Sequence, residues 1–538
     1  MLQSPVLRFF QPTGNPLGFT AIDFLALGLA ALVLLYLLVH KPFEAAVRRL
    51  AAHTWLSMGL VAALPVVLRL MLLGGHPIPT PRVADDFSYL LLGDTLAHFR
   101  LANPMHPMHR FFEGVFTIQT PSWASNYPLG QGLALAFGQV LFGNPWIGVV
   151  LSVASLSALC YWMLRAWVAP EWALGGGILA ALEFGPLSSW MNTYWGGAVS
   201  GIAGCLIFGA IPRIKKDGGV RNAIILGAGL GLQMLSRPYE FVLVLAGLAL
   251  FFLPRRALLI AGLAWLPAAG LTLLQNKQVT GHWTELPYVL SRYQYGIPTT
   301  FTFQPIPVPH QALTVEQQID YDAQTEAHGN SVSRFRFYRF FFLPPLYLAL
   351  PFFLLALREA HYIKVAAVLV ILWIGTSFYP YFYPHYIAVA TCLFVLVSVK
   401  GIEHLSRFSP NAARLILLLC AAHFLFWYGV HLSGNRNLEL ATRSYEGWDE
   451  INEGDPEGRI AINARLAQAP GKQLVFVHYS TQHGANEWIR NAADIDDARV
   501  VWAIDLGREE DEKLRNYYKN RTIWLLEPDS KPPKLAIY

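Results

Sequence analysis

The sequence predicts an all-α polytopic membrane protein of about twelve transmembrane helices, with a small extracytoplasmic α/β domain at its C-terminal end. Three observations carry that prediction. Only 14% of the 538 residues are charged and 54% are hydrophobic, whereas soluble domains carry roughly 25% charged residues. Apolar runs near spanning length recur through residues 1–432, and beyond 433 charge rises while the runs shorten to strand length.

A helix needs about 20 apolar residues to cross the hydrocarbon core. The first run, 17–39, is too long for a signal-peptide core and has no Ala-x-Ala site, so it is expected to remain as a helix. Further spans are expected at 55–74, 146–168, 172–186, 196–211, 222–235, 241–253, 257–274, 340–357, 362–379, 386–399 and 415–432. The run 130–142 is short for a span and follows Tyr127-Pro128, so it is expected to lie in the outer interface. With that assignment all the basic loops fall on one side: Lys41/Arg48/Arg49, Arg213/Lys215/Lys216/Arg221, Arg255/Arg256, Arg358/Lys364 and Lys400/Arg407/Arg414. Short Lys/Arg-rich loops stay cytoplasmic. Both termini, the loops 75–145 and 275–339, and the tail 433–538 then face outward, which in a bacterium means a multi-pass inner-membrane protein with a periplasmic tail.

In the tail, 472–480, 498–505 and 521–527 read as strands and 509–519 as a helix. It has no GxGxxG or GxxxxGK[ST] loop, so no nucleotide role is expected. A net charge of +5, from 40 basic and 35 acidic residues, is too slight to indicate nucleic acid. Cys160, Cys205, Cys392 and Cys420 lie inside apolar runs without metal spacing and read as small core residues. No cofactor is expected and no metal-site residues are assigned; the sequence leaves a metal requirement open.

The most informative stretch runs from Arg82 to Tyr89, just after the second span, and contains Asp85 and Asp86. Adjacent carboxylates beside an apolar wall repel, which raises the pKa of one and suits it to accept a proton; the alternative is a helix N-terminal cap. The same loop holds Asp94, His98, His106, His109 and Glu113. Two histidines three apart lack a third ligand, and Glu113 is a candidate second acid. Tyr127 and Gln131 flank a glycine-bearing turn, and Asn192 lies in a Trp/Tyr-rich junction. Arg237-Pro238-Tyr239-Glu240 places an arginine on the outer side, against the positive-inside trend; it must pair with Glu240 or meet an anion such as a lipid phosphate. His385 and Tyr386 sit in an aromatic junction of two late spans.

With Asp85-Asp86 and Tyr89 after an early span, an interfacial helix after Tyr127-Pro128, and a late Pro384-His385-Tyr386, the layout resembles the C-type (GT-C) membrane glycosyltransferases, especially the branch of protein O-mannosyltransferases and lipid A aminoarabinose transferases. The resemblance implies transfer of a sugar from a polyprenyl phosphate to an acceptor at the outer face, usually with inversion. It implies Asp85 as the base; Asp86 stands where the family commonly has glutamate. Arg82, Arg237 and His385 are then candidates to hold the donor phosphate, and Tyr89, Glu113, Tyr127, Gln131, Asn192, Tyr239 and Tyr386 to line the substrate site. A lysine common before the interfacial helix has no equivalent, Asn126 standing near that place. The expected partners are the bilayer, the lipid-linked donor and a protein, glycan or lipid acceptor. A transporter or flippase is the alternative, with Asp23 its main intramembrane acid; a scaffold presenting the tail is a third reading.

Overall fold

The computed structural model describes residues 32, 44–328, 335–435, 439, 458–480, 483–484 and 486–538. The expected span at 17–39, residue 32 excepted, and Asp23 lie outside the described residues. Among those described, six helices are long and apolar enough to cross a membrane: Thr54–Gly74, Pro145–Leu164, Ala198–Asp217, Arg255–Thr280, Pro384–Phe408 and Pro410–Ser433. The chain is thus a multi-pass helical membrane protein with a C-terminal β-sheet domain, and the expectation of about twelve spans is corrected.

Proline accounts for part of the difference. The run 340–357 does not form an α-helix: Pro344, Pro345 and Pro351 lack the N–H that an i→i−4 ladder needs, and the chain forms the 3₁₀ stretches Pro344–Leu348 and Leu350–Arg358 instead. Four other expected spans are helices of 12 to 17 residues, Pro170–Glu183, Val220–Ser236, Pro238–Ala249 and Ala360–Thr376. The break between the second and third of these falls at Arg237, which is extended (φ −147°, ψ 85°). The following proline disfavours helical geometry at that residue, so Arg237 stands at the junction of two half-length helices.

Small residues bring the helices together. A Cβ on Gly204 would sit 1.9 Å from the carbonyl oxygen of Val389, and one on Gly227 would sit 2.2 Å from that of Ala261. Only glycine permits these approaches. All four cysteines are buried and free, as expected of core residues.

The helix Leu129–Phe142 has 14 residues, or about 21 Å of length, against a hydrocarbon core of about 30 Å. One face, with Leu133, Phe137, Val140 and Leu141, is exposed, while Gly132 on the other closes on Leu92. Leu92 belongs to the helix Ala84–Ala97, which carries the paired aspartates.

The C-terminal sheet has the strand order Val500–Ile504, Lys472–Val477, Arg521–Glu527, Lys534–Ile537; the first three are parallel and the last is antiparallel. The expected strands and helix of the tail are present within a few residues, and Arg459–Gln468 and Lys534–Ile537 are additional elements. The central strand is apolar on both faces because both are covered. Val475 and Val477 pack with Trp488 and Trp502, whereas Leu474 and Phe476 pack with Leu91, Phe111, Phe112 and Trp123 of the 75–145 region. Polar contacts fix the same junction: Arg100 grips Asp494 through bonds of 2.9 and 2.7 Å, and Ala493 N–H donates to Asp94 at 2.7 Å. His106 meets Asp496 at 3.1 Å. The sheet domain is therefore fastened to the loop that holds Asp85.

Candidate active site

Asp85 and Asp86 occupy the first turn of Ala84–Ala97, where unpaired N–H groups favour negative charge. Their neighbours differ sharply. Asp86 is 3% exposed and accepts from two backbone N–H groups, those of Tyr194 at 2.8 Å and Arg82 at 3.1 Å. Burial pushes its carboxyl up to about 7 against the pull of those bonds. It ties the helix start to the segment after Asn192.

Asp85 is half-buried. One oxygen accepts a bond from the Tyr127 hydroxyl. Burial raises its pKa, opposed first by that hydroxyl and then by the charge of Arg237. Tyr127 is held in turn: its ring stacks on Tyr89 at 4.1 Å and 10°, meets Tyr288 edge-on at 5.7 Å, and its carbonyl accepts from Gln275 at 2.8 Å.

The Arg237 guanidinium lies 4.7 Å over the ring of Tyr386, a favourable cation–π placement. It does not form the ion pair with Glu240 that its spacing allowed. Glu240 is buried and accepts from the Tyr379 hydroxyl at 3.3 Å. Among the described residues no side chain hydrogen-bonds to or closely ion-pairs with the Arg237 guanidinium. His385 packs its ring on Trp195 at 4.7 Å and on Tyr386 at 4.6 Å, and its Nδ1 is buried with no hydrogen-bond partner among the described residues. Three separate stretches of sequence, around 85, 237 and 385, thus converge with Tyr89, Tyr127, Tyr288 and Tyr386 between them. A carboxylate faces an arginine across an aromatic wall, an arrangement suited to taking a proton at one end and holding an anion at the other.

Other expected residues are committed elsewhere. Asn192 accepts from Arg69 Nε at 2.9 Å and donates to the carbonyls of Pro186 and Ser188. Glu113 is buried in an ion pair with Arg110 at 2.5 Å. Gln131 donates to the Tyr194 carbonyl at 2.8 Å, and Tyr239 to the Gly375 carbonyl at 2.9 Å. Arg82 contributes its backbone N–H to Asp86. His106 and His109 do not share a ligand: the first turns to Asp496, the second to Glu113 at 3.7 Å.

Sequence reasoning missed Tyr288 and Asp320. The carboxyl of Asp320, on the helix Val315–His328, is raised to about 7 by burial and then by the Asp85 charge, so the 275–339 region brings another acid towards the first. Nothing local marks either residue. Arg69 did carry a signal, as an arginine inside an apolar run. A depression of about 400 Å³ lined by Arg165, Glu359, Lys400 and Glu403 involves none of these groups.

No protein-family model matches the chain, and no curated protein matches it in sequence. Among solved structures the chain is similar to the crystal structure of the Archaeoglobus fulgidus oligosaccharyltransferase in the apo form, at 10% identity and a TM-score of 0.43, over 90% of this chain and 70% of that one. It is similar to the oligosaccharyltransferase AglB of Archaeoglobus fulgidus in complex with an inhibitory peptide and a dolichol-phosphate, at 11% identity and a TM-score of 0.40, over 87% of this chain and 69% of that one. It is also similar to ArnT from Cupriavidus metallidurans in the apo state, at 11% identity and a TM-score of 0.48, over 87% of this chain and 93% of that one. These likenesses concern the path of the backbone and assign no role to any residue of this chain.

Proposed function

We propose that the chain is a glycosyltransferase that moves a sugar from a polyprenyl phosphate to an acceptor at the outer face of the membrane, with inversion. The observation that supports this most is the proximity of a half-buried carboxylate, Asp85, to the charge of Arg237, whose guanidinium rests on an aromatic ring and has no carboxylate bound to it among the described residues. A guanidinium in that state matches the oxygens of a phosphate.

In this reading Asp85 takes the proton from the acceptor nucleophile, which attacks the anomeric carbon. The bond from that carbon to the phosphate oxygen breaks, and the electron pair leaves with the polyprenyl phosphate, whose charge Arg237 and the Nδ1 side of His385 stabilise. Tyr127 orients Asp85, and Asp86 holds the helix mouth in place rather than touching substrate. The tyrosines that line the space between base and arginine offer ring faces to a sugar. The outer loops and the residue 433–538 region face the extracytoplasmic side, where the sheet domain shields the site or selects the acceptor.

The test is transfer of labelled sugar in proteoliposomes supplied with polyprenyl-phosphate sugars and candidate protein, glycan and lipid acceptors. Donor-dependent product is expected. Movement of solute or lipid without a new glycosidic bond would replace this reading with a transporter.

A further inference from the structure

A second group of potential ligands lies apart from the residues of that site. His76 follows directly on the span Thr54–Gly74, and His431 stands in the last turn of the span Pro410–Ser433. Both imidazoles are buried, at 2% and 4% exposure. Their ring centroids are 5.0 Å apart and the planes are inclined by 73°, so the rings do not stack and their nitrogens converge. Glu439 brings a carboxylate to the same place, its Oε1 lying 3.4 Å from His76 Nε2. One ligand atom from each of the three residues lies within 4.8 Å of the others.

We propose that His76, His431 and Glu439 bind a first-row divalent metal ion, with Zn²⁺ the best match. Zinc bonds of about 2.0 to 2.2 Å in tetrahedral geometry place neighbouring ligand atoms about 3.3 Å apart. The His76–Glu439 separation already has that value, and the remaining pairs close by side-chain adjustment. Two imidazoles and one carboxylate suit zinc, and suit magnesium or calcium poorly because those ions take oxygen ligands. The ligands bind as neutral imidazoles and ionised carboxylate, so metal uptake releases any protons they carry.

The surroundings favour a rigid site. The His76 carbonyl accepts from Arg69 Nη1 at 2.9 Å, which fixes the backbone behind the imidazole as supporting contacts do in metal centres. Gly75 brings the chain close to the end of the last span, a Cβ there lying 3.6 Å from the His431 carbonyl oxygen. The metal would tie three pieces together: the start of the loop that carries Asp85, the end of the final span, and the beginning of the segment that leads to the sheet domain. Its role is to fix the seat of that domain, and it takes no part in the transfer.

The experiment uses the full chain in detergent, stripped with a chelator and titrated with Co²⁺ as a spectroscopic probe, then with Zn²⁺. About one equivalent of Co²⁺ is expected to bind, to be displaced by Zn²⁺, and to raise the thermal midpoint. Glu439 is 22% exposed, so Glu439→Gln should fold as before while its metal affinity falls more than about tenfold. His431→Cys should keep tight binding and add a thiolate-to-cobalt charge-transfer band. Stoichiometric binding that is unchanged in affinity and spectrum in both variants would overturn the proposal, as would no binding by the wild-type chain, which would leave a His–Glu ion pair only.

Discussion

Arg69 and Arg237 both stand within apolar sequence, yet their guanidinium groups meet opposite surroundings. Arg69 is fully buried and each of its nitrogens has a protein acceptor: Asn192 Oδ1 and the carbonyls of His76 and Pro77, all at 2.9 Å. Arg237 lies over Tyr386 without such acceptors among the described residues. A charge in a low-dielectric setting is costly unless it is compensated. The protein itself compensates Arg69, which makes that region a closed structural knot. For Arg237 the nearby charges of Glu240 and Asp85 act without a direct bond, and in the proposed function an incoming anion completes the compensation. The aspartates divide in the same way, Asp86 closed by two backbone N–H groups and Asp85 held by a single tyrosine.

That contrast can be broken by exchanging the roles experimentally. The largest expected effect is on the open side: Asp85→Asn should reduce transfer by about 10²- to 10⁴-fold, the usual worth of general-base help, with the thermal midpoint unchanged. Next comes the closed side, where Arg69→Met strands three uncharged acceptors, each costing about 1 to 3 kcal/mol if left buried and unsatisfied, read as a lower thermal midpoint in detergent. Arg237→Gln should raise the donor concentration needed for half-maximal rate by roughly tenfold or more, since a charge-assisted bond contributes about 1.5 to 3 kcal/mol, while leaving stability nearly intact. A loss of stability matching that of Arg69→Met would erase the distinction between the two arginines.

The smallest effect sharpens the comparison of the aspartates. Burial pushes the Asp86 carboxyl up to about 7, above the ordinary carboxylate range of an unfolded chain, so between that range and about 7 the folded chain binds more protons than the unfolded one. Stability should fall as pH rises through that window, and Asp86→Asn should flatten the slope. Asp85 is also raised, but its signature should be in rate: transfer should decline as pH falls through its folded pKa, because a protonated carboxyl cannot accept the acceptor's proton.

Much of this organisation is legible in the sequence, for reasons that also mark where legibility stops. Tail strands such as Lys472–Val477 are marked by short apolar runs between charged residues, and Asp85-Asp86 by a rare acidic pair after an apolar run. The expected span count exceeds the six found among the described residues in part because hydropathy measures apolar length and not hydrogen-bond continuity: Pro344, Pro345 and Pro351 interrupt a run that is apolar enough, and Pro238 divides two helices at Arg237. Asn192 looked available because its partner, Arg69, is 123 positions away. Tyr288 and Asp320 belong to a loop whose approach to Asp85 is created only by the fold.

In the proposed function Asp85 acts on the acceptor while Arg237 holds the donor. Its most direct test measures donor binding and single-turnover transfer on the same preparation of Asp85→Asn in proteoliposomes. Donor affinity should equal that of the wild-type chain, with transfer lowered by at least about 10²-fold. Transfer at the wild-type rate would contradict it.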